Sequence, residues 1–217
     1  MEIDLLKNYP KTERNLNKRL IEKTPDVVKI ARKFGKDFFD GDRKYGYGGF
    51  YYNPKYWTTV VQDFVKYYNI KSNARILDVG CAKGYMLYDF KRQYPNLEIH
   101  GVDISKYAIE NCHPKVKKNL HVGNAKDLKF SDNYFDLVIS INTVHNLELN
   151  ECITSIKEIS RVTKGNSFIT VDAYNDDSEK EKMFKWNLTA KTIISTSDWK
   201  DIFKKIEYNG DFYWFIP

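Results

Sequence analysis

From residue 73 onward, short apolar runs alternate with stretches of helical periodicity, and this alternation constrains the fold more than any other feature of the chain. Residues 75–79, 98–103, 120–122, 135–140 and 167–172 read as strands, and residues 85–94, 105–112 and 151–162 as helices between them. A strand without polar alternation is buried on both faces, and strands joined through helices lie parallel. The prediction is an α/β fold with a Rossmann-like, doubly wound, mostly parallel sheet. Its end breaks the rhythm. Residues 206–208, then Asn209-Gly210, then residues 211–216 predict an antiparallel C-terminal hairpin, because Asn-Gly supplies the positive φ angles of a type I′ turn.

The first part of the chain has a different texture. Residues 1–44 read as helical, with Thr24 as N-cap before Pro25 and a stripe of Val27, Val28, Ile30, Ala31 and Phe34 that stops at Gly35. Residues 40–57 then set Gly41, Gly46, Gly48 and Gly49 among tyrosines, the composition of a hinged, ring-bearing loop. A helix follows over about residues 56–68. An N-terminal helical extension with a Gly/Tyr lid is therefore expected over 1–57, and the main domain over 58–217.

The 217 residues are 42% hydrophobic and 29% charged, enough for a sizeable core and unlike a disordered polyelectrolyte or a disulfide miniprotein. No apolar run approaches the ~18–20 residues of a membrane span. The start places Glu2 and Asp4 before Lys7 and has no apolar signal core, so a cytoplasmic chain is expected. Cys81, Cys112 and Cys152 make neither a CxxC pair nor a ligand pattern with the four His; reduced thiols and no metal are expected. Of the net charge of +6, residues 1–44 carry +4 (12 Lys or Arg against 8 Asp or Glu). Lys outnumbers Arg 28 to 7, whereas base readout favours Arg. The basic extension suits an anionic small molecule at least as well as RNA.

The most informative stretch is Leu77-Asp78-Val79-Gly80-Cys81-Ala82-Lys83-Gly84. A strand ends in an acid, and glycines border the loop that opens the next helix, where they permit a sharp turn and close ligand approach. Asp103 ends the second strand 25 residues after Asp78, the place in a βαβ unit from which a carboxylate takes both hydroxyls of a ribose. The dinucleotide fingerprint GxGxxG is not met, since the pattern here is DxGxxxG. The added negative charge of Asp78 suits a cofactor that carries cationic groups.

With these residues, the chain resembles the class I S-adenosylmethionine-dependent methyltransferases from about Arg75 to its end. The motifs are residues 76–84, Gly101-Val102-Asp103-Ile104-Ser105, Gly123-Asn124-Ala125, residues 135–140 and residues 158–165. The resemblance implies S-adenosylmethionine as cofactor and S-adenosylhomocysteine as product. It places Gly80 and Gly84, with Cys81 and Ala82 between them, at the methionine end, and Asp78 behind the loop. It puts Asp103 on the ribose, Ile104 against the adenine, and Asn124 and Ala125 at the adenine edge. Many relatives have Asp where Asn124 stands.

Methyl transfer requires alignment, exclusion of water, and removal of a proton where the acceptor is a hydroxyl. His145, just past the fourth strand, is the candidate base, because an imidazole titrates near neutrality; a helix-capping or loop-orienting role is the alternative. Asn142 and Asn146 are candidates to orient the acceptor or the cofactor carboxylate. Tyr47 joins the catalytic candidates, and Tyr45, Tyr51 and Tyr52 those for substrate binding, as hydroxyls of the lid. Arg43 is a candidate for a phosphate, or else for a surface ion pair with Asp40 or Asp42.

Residues 39–49, Asn142-Thr143-Val144-His145-Asn146, Leu188-Thr189-Ala190 and Tyr208-Asn209-Gly210-Asp211 are similar to bacterial methyltransferases associated with capsule and other surface-polysaccharide synthesis. That similarity implies a small acceptor, nucleotide-activated or phosphate-bearing, methylated on a sugar, phosphate or phosphoramidate oxygen. The alternatives are a nucleic-acid or protein methyltransferase and a non-catalytic cofactor-binding subunit. Against nucleic acid, no Asp/Asn-Pro-Pro-Tyr motif follows the fourth strand.

Overall fold

The computed structural model describes residues 1–11 and 14–217. Three short helices, α1 (Leu16–Glu22), α2 (Pro25–Ala31) and α3 (Lys36–Asp40), make the extension, and α4 (Pro54–Tyr67) leads into the sheet. Thr24 caps α2 as expected, its hydroxyl accepting from the Val27 N–H at 3.3 Å with Pro25 in the first turn. The first residues are extended rather than helical. Glu2 bridges Phe212 in parallel, and the Ile3 N–H donates to the Phe212 carbonyl at 3.0 Å, covering what would be a bare strand edge. The division expected at residue 57 falls inside α4.

The sheet follows, with an α-helix between successive strands everywhere except between β3 and β4: β1 (Arg75–Val79), α5 (Tyr85–Gln93), β2 (Glu98–Asp103), α6 (Lys106–Glu110), β3 (Leu120–Val122), β4 (Leu137–Ile141), α7 (Leu149–Val162), β5 (Ser167–Tyr174), α8 (Asp177–Trp186), β6 (Ile194–Ser195), α9 (Thr196–Lys205) and β7 (Asp211–Phe215). The strand order is β3-β2-β1-β4-β5-β6, with β7 also on β5. Ile76, Leu77, Val79 and Ile139 are wholly buried, as continuous apolar strands demand. Phe64, Phe90 and Phe168 fill one side of the sheet; Ile156, Ile159, Trp199 and Phe203 fill the other. Among the described residues no helix is long and apolar enough to cross a membrane. The three cysteines are buried and free.

The antiparallel hairpin is not formed. β7 runs parallel to β5, Phe168 opposite Asp211 through Asp172 opposite Phe215. The reason lies in α9, which the sequence reading did not assign. β6 pairs with Ala173 and Tyr174 at the far end of β5, and the ten residues of α9 carry the chain back past the sheet, so the next strand must run the same way as β5. Asn209 and Gly210 have no positive φ; the left-handed residue is Glu207 at +56°, just past α9. Gly210 instead lies against the Ser167 hydroxyl and the Tyr208 ring, where an added Cβ would sit 2.1 and 2.4 Å from their oxygens.

Candidate functional site

The order of strands reverses between β1 and β4, and in open α/β sheets the crevice at that point, beyond the carboxyl ends of the strands, is where ligands bind. The loop after β1 folds over the end of β2: the N–H groups of Gly80 and Cys81 both donate to the Val102 carbonyl, at 2.7 and 3.1 Å. Gly80 has a φ of +87°, and a Cβ there would lie 2.0 Å from the Thr143 hydroxyl. The glycine is therefore demanded by packing between two loops, beyond the ligand approach expected from the sequence. Ala82, at a φ of +49°, donates its N–H to Asp103 Oδ2 at 2.8 Å, and Ser105 N–H donates to Asp103 Oδ1 at 2.8 Å. Gly84 opens α5, and Cys81 is buried beneath the loop.

Asp78 and Asp103 are both buried at this crevice. Burial first, and the Asp103 charge second, push the Asp78 carboxyl up to about 8. No donor among the described residues hydrogen-bonds its side chain. Burial also raises Asp103, against its two backbone donors. Ile104 and Val122 flank Asp103 with 57% and 53% of their surfaces exposed, although both are large and apolar. Asn124 spends its carbonyl on the Lys126 N–H at 3.0 Å, and Ala125 is half-buried. A buried carboxylate without a donor, a second beside it, and two exposed apolar side chains fit a ligand with a cationic group, a ribose diol and a flat ring. S-adenosylmethionine has all three.

The loop after β4 forms the next wall. Asn142 sits at a φ of +50°, its N–H and side-chain Oδ1 both fixed by Thr170, at 3.0 and 2.9 Å from that hydroxyl. Asn146 donates to the Asn142 carbonyl at 3.2 Å, while its own Oδ1 is buried and accepts nothing. His145 is in another state from the one expected of a base. It is 3% exposed, its Nδ1 accepts from the Asp172 N–H at 2.9 Å, and burial holds its pKa at about 3. The lone pair that would take a proton is already engaged. The orienting role fits; the proton-accepting one does not.

In the Gly/Tyr segment, Tyr47 turns inward: its hydroxyl oxygen accepts from the N–H of Leu188 at 2.7 Å and of Thr189 at 3.3 Å. Burial and the Asp172 charge raise its pKa, so it is no base either. Tyr45 packs among Val27, Ala31 and Leu188, and Tyr52 donates to Asp89 at 2.9 Å. Tyr51 is 73% exposed. Arg43 makes no surface ion pair with Asp40 or Asp42; it donates to the Gly46 carbonyl, as does buried Arg19 at 2.9 Å. Asp40 instead holds Lys83, whose ammonium also donates to the Phe50 carbonyl at 3.0 Å, and Tyr107 donates to Asp40 at 2.7 Å. The extension is thus tied directly to the cofactor loop. The pairings of Lys83 with Asp40 and of Asp172 with Asn187 were not read from the sequence, because they join residues 15 to 43 positions apart.

Sheet order, glycine loop and paired strand-end acids define the class I methyltransferase fold. A family model described as a methyltransferase domain matches residues 70–211, and the chain belongs to that family. It is 31% identical over 152 residues to the demethylmenaquinone methyltransferase of Symbiobacterium thermophilum, covering 66% of this chain and 59% of that protein. It spans 40 to 64% of the length of three of its curated relatives, that one included. Among solved structures it is similar to a SAM-dependent methyltransferase from Archaeoglobus fulgidus, with a TM-score of 0.55, 22% identity, and 69% of this chain and 66% of the other covered. It is also similar to phosphoethanolamine N-methyltransferase 2 of Haemonchus contortus, with a TM-score of 0.59, 20% identity, and 81% and 44% covered. S-adenosylmethionine is the cofactor of the family.

Proposed function

We propose that this chain is an S-adenosylmethionine-dependent methyltransferase whose acceptor is a small, phosphate-bearing molecule. In this reading the methyl goes to an oxygen of a sugar, phosphate or phosphoramidate group on a nucleotide-activated or phosphorylated precursor of a bacterial surface polysaccharide. The cofactor, when bound, supplies a methyl group already activated by its sulfonium. Asp78 and Asp103 hold its cationic and ribose groups, Ile104 its ring, and Gly80, Cys81, Ala82 and Gly84 the loop around it, with Asn124 and Ala125 at the ring edge.

The observation that carries the choice among these acceptors is the engaged lone pair of His145, which favours the phosphate and phosphoramidate oxygens over a sugar hydroxyl that would need a base. The wall facing the acceptor offers amides, Asn142 and the unpartnered Asn146 Oδ1, rather than a base. An acceptor oxygen that is already anionic, such as that of a phosphate or phosphoramidate, loses no proton and needs only alignment and desolvation. Exposed Arg43, next to Arg19, supplies the positive charge such a group requires. The structural relative from H. contortus, an N-methyltransferase, was solved with a small phosphate-bearing molecule, phosphomonomethylethanolamine. Methyl-labelled cofactor offered with nucleotide sugars, phosphorylated sugars, their phosphoramidates, RNA and bulk protein tests the reading. Label is expected in the phosphorylated small molecules; label only in RNA or protein would replace it.

A further inference from the structure

Three segments meet at the carboxyl end of β5: the lid, the turn after β4 and the turn after α8. At their junction is Asp172, 3% exposed, with Asn187 against it at 5%. The Asn187 side chain donates its N–H to Asp172 Oδ2 and accepts the Ala190 N–H on its Oδ1 at 2.8 Å. That turn aims the Leu188 and Thr189 N–H groups at the Tyr47 hydroxyl. On the other side, His145 Nδ1 accepts from the Asp172 N–H, so the neutral ring carries its proton on Nε2, which faces Asp172 Oδ1 at 3.5 Å. The His145 carbonyl accepts from Lys191 and Thr192 at 3.1 and 3.0 Å and closes the ring of contacts.

We infer that Asp172 and Asn187 form a buried catch that seats the Gly/Tyr lid, which makes Asp172 a positioning residue for the acceptor side of the site. The inference rests on the methyltransferase reading for what the lid covers. Both oxygens of Asp172 face donors, so a carboxylate serves both partners and an amide serves one. The Asp172 side chain thereby fixes the turn bearing Asn146 and, through Asn187, the anchor of Tyr47. The donor and acceptor of the Asp172–Asn187 pair are interchangeable in principle: Asn at 172 and Asp at 187 restore every hydrogen bond, with the amide now donating from the other side.

Hydrogen exchange followed by mass spectrometry tests this, in the wild type, Asp172→Asn, the double exchange Asp172→Asn with Asn187→Asp, and Tyr47→Phe. The lid peptide 43–52 is compared with the control peptide 153–166, and S-adenosylhomocysteine binding is measured by calorimetry on each protein. Asp172→Asn and Tyr47→Phe are expected to speed exchange of 43–52 about tenfold with the control unchanged, as loss of a buried hydrogen bond implies. The double exchange is expected to recover protection to within about threefold of wild type. Wild-type protection of 43–52 in both single variants overturns the catch, and so does a double exchange no better than Asp172→Asn. Should Asp172→Asn loosen the control peptide as well, Tyr47→Phe decides, since it deletes only a hydroxyl. A wild-type chain that fails to bind S-adenosylhomocysteine would end the methyltransferase reading while the exchange comparison still judged the catch.

Discussion

Two neighbouring loop residues with positive φ make opposite predictions. Gly80→Ala adds a Cβ at +87° that collides with Thr143, and is expected to cost roughly 2 kcal/mol or more in urea unfolding. Ala82→Gly, at +49°, is expected to stabilise by about 0.5–1 kcal/mol, because its side chain already bears the left-handed penalty. For His145, the hydrogen bonds predict a structural phenotype. His145→Ala strands the Asp172 N–H and is expected to cost about 2–3 kcal/mol, with S-adenosylhomocysteine affinity retained within about threefold in the folded protein. A variant as stable as wild type would contradict that. That His145 follows the fourth strand was readable from the sequence, since a position after a strong apolar strand is a local fact. Its protonation state depends on an N–H 27 residues away, and no local pattern carries that.

Among the elements, the tie between α3 and the cofactor loop sets how the crevice opens. Asp40→Ala removes the charged partner of Lys83 and the acceptor of Tyr107, and is expected to speed S-adenosylhomocysteine release about tenfold in stopped-flow measurements, the scale of one buried charged contact. An unchanged release rate would show that the extension does not cover the cofactor. The strands β1, β4 and β5 were legible because burial on both faces writes itself as runs rich in Ile, Leu, Val and Phe. α9 was legible in principle: Ser195 and Asp198 form a capping box, and Trp199 and Phe203 repeat at helical spacing. Asn209-Gly210 outweighed that signal. The dipeptide favours a hairpin only if the preceding residues form a strand, and here they end a helix.

For the whole molecule, three buried groups set the pH dependence of stability. Asp78 and Asp172 have folded-state values raised to about 8 and about 7, so the stability they lend is full below the unfolded value near 4 and is lost as pH rises through the folded ones. His145, lowered to about 3, acts oppositely, but only below the unfolded value near 6.5. Between about pH 6.5 and 8 these two carboxyls ionise in the folded but no longer in the unfolded chain, and unfolding free energy is expected to fall by roughly 1–2 kcal/mol, less so in Asp78→Asn. A flat profile in urea titrations at those two pH values would mean that both carboxylates are already ionised in the fold. Buried Asp78, with Asp103 beside it, also forms the cofactor site, and calorimetry tests that most directly. S-adenosylmethionine, S-adenosylhomocysteine and NAD would be titrated into wild type, Asp103→Ala and Asp78→Asn. Binding of both adenosyl compounds is expected, weakened at least about tenfold by Asp103→Ala, with none of NAD. Absence of adenosyl binding, or binding indifferent to both substitutions, would contradict it.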